Sequence, residues 1–584
     1  MRRATRLASN VVFFFVMPFI LTASLVFLVS CKKVAEAPGR AESVDWNRYY
    51  SNDETNQIMR SYADRFPKLT RLYSIGKSYK GADLMLMEVT NQDTGPAEDK
   101  PALYMDGNIH SGELTGSAVT LYMIGYLLDR YGKDPEVTGL VDSRAFYLRP
   151  KFNPDGADLA LLKDVSLRST VRPWDDDNDD TADEDPAEDL NGDGLITQMR
   201  IPDPEGNMKI SSEDPRLMVR RDKNETGGSA YRVVGEGVDN DHDGRLNEDG
   251  IGGIDLNRNF SRNWEPEYLQ PGAGPFPLSE PETYATIKFI DGHPNIMSIV
   301  HNHTSGGFVY RLPSSSDPTQ FNKDDLALIE TLGAKYTEIT GRPVQPSSTD
   351  PVKHRYGTLI GWAYEDRGII GWVPEYWPGV SADYDGDGTT SELERLRFND
   401  EKLGGKYFVA WKPFDHPEFG KVEIGGWRSR FISQNPPPQL LEKECALQIP
   451  WLFYLAKQSP FIKMTDPAVT DLGEGKFQVE VTVCNEGFLP TNLTERGIQA
   501  KLIKPVYASI TIDGGELVEG KRRIELDHLA GTYAVPDPAR KSSASARWIA
   551  RTTSGTATIR IEARSEKGGT VRLGPITLPL RRLP

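Results

Sequence analysis

The sequence predicts an α/β body followed by a small all-β module. Strand-length apolar runs alternate with helical periodicity from residue 46 to about 459. That rhythm breaks at Pro173 and resumes near Gly252. After Pro460 only short alternating runs remain, with no helix separating them. The 584 residues, 38% hydrophobic and 26% charged, exclude a polytopic membrane protein and a wholly disordered chain. The net charge of −16 excludes a general nucleic-acid binder, which needs a basic surface.

Arg2, Arg3 and Arg6 precede an apolar run over 11–29 that ends in Leu28-Val29-Ser30-Cys31. A basic segment, an apolar segment and small residues describe a secretory signal. The last four residues resemble a bacterial lipobox, with Cys31 as the lipidated residue. The competing reading is a plain membrane-anchoring helix, because the run is about long enough to span. Both readings predict an exported protein held at its N-terminus: a cell-envelope lipoprotein on the outer-membrane or periplasmic side, or an extracellular protein. Residues 1–31 are then the signal and 32–44 a polar tether. Cys445 and Cys484 fall in different predicted domains and read as buried thiols, with a single disulfide as the alternative.

The spacing predicts a helix over 57–66 and strands over 70–73 and 84–89. A buried strand over 102–105, a helix over 117–131 and a strand over 146–152 follow. Beyond the break come a strand over 296–303, a helix over 323–340, a strand over 371–374 and a helix over 442–457. In the module, strands are expected over 477–483, 500–503, 508–512, 556–561 and 571–573. The predicted divisions are 45–172 with 251–460 as the catalytic body, 173–250 as an insert, and 461–584 as a β-sandwich-like module.

His110-Ser-Gly-Glu113 follows the apolar strand through Asp106-Gly107-Asn108. An imidazole and a carboxylate three residues apart can share a metal, and a third ligand with one open position would make a catalytic zinc site. Phe152-Asn153-Pro154-Asp155-Gly156 comes next, then Asp255-Leu256-Asn257-Arg258-Asn259-Phe260. His301-Asn302-His303-Thr304 ends a later strand, and Gly361-Trp362-Ala363-Tyr364 precedes Val373-Pro374-Glu375-Tyr376-Trp377. In this order and spacing the motifs resemble the M14 family of zinc metallocarboxypeptidases, over roughly 46–172 and 251–460.

The resemblance implies a mixed central sheet with helices on both faces. It implies one catalytic zinc held by His110, Glu113 and His303, with His301 as the rival third ligand. It makes Glu375 the catalytic base, with Glu365 the alternative. Arg168 becomes the group that polarises the scissile carbonyl, with Arg172 the weaker candidate. Asn257 and Arg258 match the pair that binds the substrate's terminal carboxylate, and Tyr356 is the nearest tyrosine to cap it. The implied partner is a peptide with a free C-terminal carboxylate. Such a site hydrolyses the last peptide bond with a metal-activated water and a glutamate base. Gly112 stands where many members carry an arginine, and Gly361 replaces an aspartate before Trp362. Ile360 falls near the floor of the side-chain pocket, which points to an apolar rather than a basic terminal residue. Two alternatives remain: a peptidase of this fold trimming cell-wall peptides, and an inactive surface protein that binds peptides or glycans.

The charge is local. Residues 175–250 hold 23 Asp/Glu against 8 Lys/Arg, a net of −15. Asp175-x-Asp177-x-Asp179, Asp189-x-Asn191-x-Asp193-Gly194 and Asp239-x-Asp241-x-Asp243-Gly244 alternate oxygen ligands as calcium loops do. Asp383-x-Asp385-x-Asp387-Gly388-Thr389-x-Ser391-x-x-Glu394 satisfies every position of an EF-hand loop. The loops from Asp189 and Asp239 lack its twelfth-position acid, having Arg200 and Gly250 there. The sequence therefore predicts structural calcium beside the zinc.

Overall fold

The computed structural model describes residues 44–175, 180–222, 225, 227–313, 321–347, 355–533, 540–553 and 555–579. The predicted signal with Cys31, most of the tether, and Asp177 and Asp179 lie outside the described residues. Among the described residues no helix is long and apolar enough to cross a membrane.

An eight-stranded mixed sheet organises the body. Its order is Thr70–Lys77, Asp83–Val89, Ala145–Arg149, Ala102–Gly107, Ile296–Asn302, Ile370–Glu375, Phe308–Arg311, Val344–Pro346. The four middle strands run parallel, and the strands flanking them run antiparallel. Side chains alternate across a strand, and here each face has its own core. Leu103 and Met105 pack with helices Leu114–Arg130 and Pro438–Lys457 on one side. Ala102 and Tyr104 pack with Pro281–Gly292 and Leu359–Arg367 on the other. A parallel strand covered on both faces must be apolar throughout, and Ala102–Gly107 and Ile296–Asn302 are buried at every position.

The interrupting segment is more than a set of acidic loops. It supplies strands Gln198–Pro202, Met208–Ile210, Met218–Arg220 and Tyr231–Gly235. These join the hairpin Phe408–His416 and Gly420–Trp427 in a six-stranded antiparallel sheet around Met199, Ile201, Val422 and Ile424. The sequence concealed this because the pairing partner lies some 200 residues away.

The C-terminal module packs two sheets face to face. One holds Ile462–Met464, Ala468–Gly473, Lys476–Asn485, Gly515–Glu519 and Ser543–Thr552. The other holds Val506–Asp513, Arg523–Asp527, Ala557–Ser565 and Gly569–Leu578. Lys476–Asn485 alternates buried and half-buried residues along its whole length, as a sandwich strand does. The expected strand over 500–503 is a correction: a turn follows the short helix Glu495–Gln499 there. Cys445 and Cys484 are both free thiols, so the alternative of a disulfide between them is set aside.

Candidate active site

Three parallel strands deliver the site at their C-terminal ends, where open α/β sheets bind ligands. His110 and Glu113 lie in the turn after Ala102–Gly107, and Glu113 is the N-cap of helix Leu114–Arg130. Asn108 takes a left-handed conformation (φ 65°) to start that turn. A Cβ on Gly107 would lie 2.3 Å from the Gly116 backbone, and one on Gly116 would lie 2.5 Å from the Asn302 carbonyl. Only glycine lets the helix approach this closely, and the approach brings Glu113 to the strand that ends in His303. His303 forms a parallel bridge with Glu375, the last residue of its own strand.

The ligand atoms of His110, Glu113 and His303 all lie within 4.8 Å of one another. His110 Nδ1 is 2.8 Å from Glu113 Oε1, and His303 Nδ1 is 2.8 Å from Glu113 Oε2. All three residues are at most 5% exposed. Two imidazoles and one carboxylate converging in a buried site are the donor set of a catalytic zinc. Burial holds His303 down to about 3, in the neutral form that ligates metals. Burial also opposes charge on His110, but Glu113 and Asp255 outweigh it and raise its pKa. Glu113 is held well below the carboxylate range, because His110 and His303 outweigh its desolvation. His301, the rival, turns elsewhere: its Nδ1 bonds Asp106 at 2.6 Å and both are fully buried.

Asp255 is the residue whose importance the sequence understated. Its Oδ1 lies 3.0 Å from His110 Nε2 and accepts from the Asn257 amide at 2.8 Å. Its Oδ2 accepts from Arg168 Nε at 3.0 Å. One carboxylate thus orients a candidate ligand and a candidate catalytic arginine together. The signal was there, since Asp255 stands two residues before Asn257, but a sequence does not say what the Asp faces.

A cleft opens over this cluster, with Arg168, Asn257, Arg258, Ile360 and Glu375 among its lining residues. Arg258 ends the turn Leu256–Arg258 and donates to the Asn257 carbonyl at 2.7 Å. Desolvation, and to a smaller degree the nearby Glu113, pushes the Glu375 carboxyl well above its ordinary value, against the pull of Arg168 and Arg355. The other candidates stand outside the cleft. Arg172 pairs with Glu280 at 3.0 Å, and Glu365 pairs with Arg262 and Arg496. Tyr356 holds Gln270 through its backbone on both sides. Among the described residues the tyrosine lining the cleft is Tyr310. Gly112 faces the Gln434 amide, 2.9 Å from where a Cβ would sit, so no larger side chain fits there without displacing it.

The acidic loops share one geometry. The first carboxylate accepts from the amide five residues on: Asp175 from Asp180, Asp189 from Gly194, Asp239 from Gly244, Asp383 from Gly388. In three loops the next position repeats the pattern: Asn191 accepts from Asp193, Asp241 from Asp243, Asp385 from Asp387. Asp387 then accepts from Thr389, amide and hydroxyl alike. Carboxylate oxygens of Asp239, Asp241 and Asp243 cluster within 4.8 Å, as do those of Asp383, Asp385 and Glu394. Glu394 closes its loop by accepting from the amides of Tyr384 and Ser391, which hold it down to about 2.

Comparison with known proteins agrees with the geometry. The curated relatives include carboxypeptidase D of Anas platyrhynchos, 36% identical over 115 residues, 20% of this chain and 8% of that protein. Carboxypeptidase M of Mus musculus is 34% identical over 109 residues, 19% of this chain and 25% of that protein. The chain therefore spans a quarter or less of the length of these relatives. Similar solved structures include bovine thrombin-activatable fibrinolysis inhibitor in complex with tick carboxypeptidase inhibitor (TM-score 0.42, 16% identity, 70% of this chain and 97% of that one). Carboxypeptidase A from Helicoverpa armigera is another (TM-score 0.44, 14% identity, 72% and 76%). Residues 461–574 match a domain of unknown function, DUF8731. The Peptidase_M14 zinc carboxypeptidase model matches residues 55–381, more than half of the chain, and the chain belongs to that family.

Proposed function

We propose that this chain is a zinc-dependent carboxypeptidase that hydrolyses the C-terminal residue from peptides. The observation that carries this reading is the convergence of His110, Glu113 and His303 beside a cleft that also holds Arg258 and Glu375. Zinc held by His110, Glu113 and His303 supplies Lewis-acid polarisation of the scissile carbonyl and an acidified water. Arg258, with Asn257 beside it, grips the terminal carboxylate through parallel hydrogen bonds and places the last peptide bond at the cluster. Arg168 faces the oxygen that becomes negative as the carbonyl is attacked. Glu375 takes the proton of the attacking water and returns it to the departing amine.

Calcium in the loops from Asp239 and Asp383, and by the same pattern in those from Asp175 and Asp189, is part of this proposal. The shared turn geometry and the clustered oxygens support it. So does Glu248, where burial and the neighbouring Asp185 and Asp243 push the carboxyl up to about 7, a strain a cation relieves. Export and attachment through Cys31 rest on the lipobox-like N-terminus alone.

The test is metal content together with hydrolysis of N-blocked dipeptides. Zinc at one per chain and release of the last residue are expected. A zinc-loaded protein that binds such peptides but never cleaves them favours the inactive binding protein instead.

A further inference from the structure

Besides the residues already assigned roles, the cleft is lined by Tyr310, Ser347, Arg355, Thr358, Ile360 and Val373. Ile360 lines it as the resemblance implied, but it does not make the subsite apolar. Of the three guanidinium groups on the cleft wall, Arg168 is bonded to Asp255 and Glu113, and Arg258 lies 4.0 Å from Asp255. Arg355 is different. It is exposed and stacks over the Tyr310 ring at 5.2 Å, and among the described residues it forms no ion pair. Ser347 is 9% exposed, and its hydroxyl oxygen is buried with no hydrogen-bond partner. A buried hydroxyl without a partner is costly unless a ligand completes it. Ile360 and Val373 add apolar surface to the same cleft. The subsite thus has an aliphatic wall, a hydroxyl awaiting a partner and a cation. Among the described residues Glu375 is the one carboxylate that lines the cleft, and the proposed catalysis claims it.

We propose that Arg355 and Ser347 form the side-chain subsite of this enzyme and select a C-terminal glutamate or aspartate. The inference rests on the carboxypeptidase reading and adds its substrate class. The α-carboxylate meets Arg258, the side-chain carboxylate meets Arg355 and the Ser347 hydroxyl, and the stem lies on Ile360 and Val373. A basic terminal residue would face Arg355 and be repelled. A neutral one would leave Arg355 without the charge it attracts.

The experiment compares N-blocked dipeptides that differ only in the last residue (Glu, Gln, Leu or Lys), using the zinc-loaded full chain. Calorimetry of free glutamate and free glutamine provides a second readout. The expected kcat/KM for Glu exceeds that for Gln by at least about tenfold. In Arg355→Gln that ratio falls to within about threefold of one, in Ser347→Ala it falls by a smaller factor, and in Arg355→Glu the Lys peptide overtakes the Glu peptide. The ratio cancels any general damage done by the substitutions. Leu or Gln cleaved as well as Glu by the wild type, or a ratio unchanged in Arg355→Gln, overturns the subsite and leaves the carboxypeptidase standing. Release from none of the four peptides overturns the carboxypeptidase reading. In that event glutamate binding no tighter than glutamine overturns the subsite as well.

Discussion

Around Asp255 the carboxylates are buried and face basic side chains: Asp255 meets His110, Arg168 and Arg258, and Glu113 meets both histidines. In the loops from Asp189, Asp239 and Asp383 the aspartates are half-buried or exposed and face the chain's own amides. The first arrangement joins residues 145 positions apart, so it exists only once the sheet has formed. The second closes within twelve residues and belongs to the local sequence. Buried charge must be neutralised inside the fold, because its desolvation is costly. Loop charge can be left to solvent or to an ion taken from it. Function built on the first is fragile to a single substitution, and function built on the second is fragile to conditions.

The most damaging break is expected at the buried end of this comparison. Glu375→Gln should retain zinc and lose about 10³-fold in kcat, the scale of a general base. A variant that keeps its metal and more than about a tenth of the activity would remove Glu375 from the role of base.

Burial of charge also predicts a pH effect far from the cleft. Lys567, in the module, donates to the Ile296 carbonyl of the catalytic sheet at 2.7 Å, and desolvation pushes it down to about 7. Its folded pKa lies below the unfolded value of about 10.4, so between these limits the unfolded chain binds the extra proton. Stability should therefore rise with pH through that window, by an amount on the order of 3 kcal/mol. Denaturant midpoints at pH 7 and pH 10 check this. Lys567→Met should shrink the rise without abolishing it, since burial holds Lys100 and Lys151 near 8 as well.

Asp255→Asn keeps the shape and removes the charge that orients His110. Zinc affinity should fall by roughly 10- to 100-fold, as for other partners of metal-bound histidines. Equal zinc competition by a chelator in wild type and variant would reduce Asp255 to a loop brace.

The smallest effect is expected in the loops. Glu394→Gln should shift the calcium concentration that protects 383–394 from proteolysis upward, by on the order of tenfold. Zinc must be buffered throughout, so that a chelator acts on calcium alone. Equal protection with and without calcium would leave these loops as solvated turns.

How much was legible follows the same division. That His110, Glu113, His303 and Glu375 are candidates could be read because each lies at or just past the end of a strand whose apolar run is plain in the sequence, and the structure brings the first three together. The turn pattern of the acidic loops was readable because alternation and glycine are local signals. Asp255 was underread, and Arg355 and Ser347 were passed over, because a cleft wall is assembled from separate segments. The sheet shared by the insert and the Phe408–Trp427 hairpin was missed for the same reason: strand pairing leaves no mark on either strand alone.

By itself, the sequence determined the α/β body, the β-module, the chemistry of the candidate metal ligands and the turn-forming pattern of the acidic loops. These depend on periodicity and on residue types a few positions apart. Only the tertiary structure decided that His303 rather than His301 meets Glu113, that Asp255 links His110 to Arg168, and that an arginine and a partnerless serine share the cleft with Ile360. The physical reason is that burial and charge pairing are properties of neighbours in space. Here the close packing of Gly107, Gly116 and Asn302 makes distant residues neighbours.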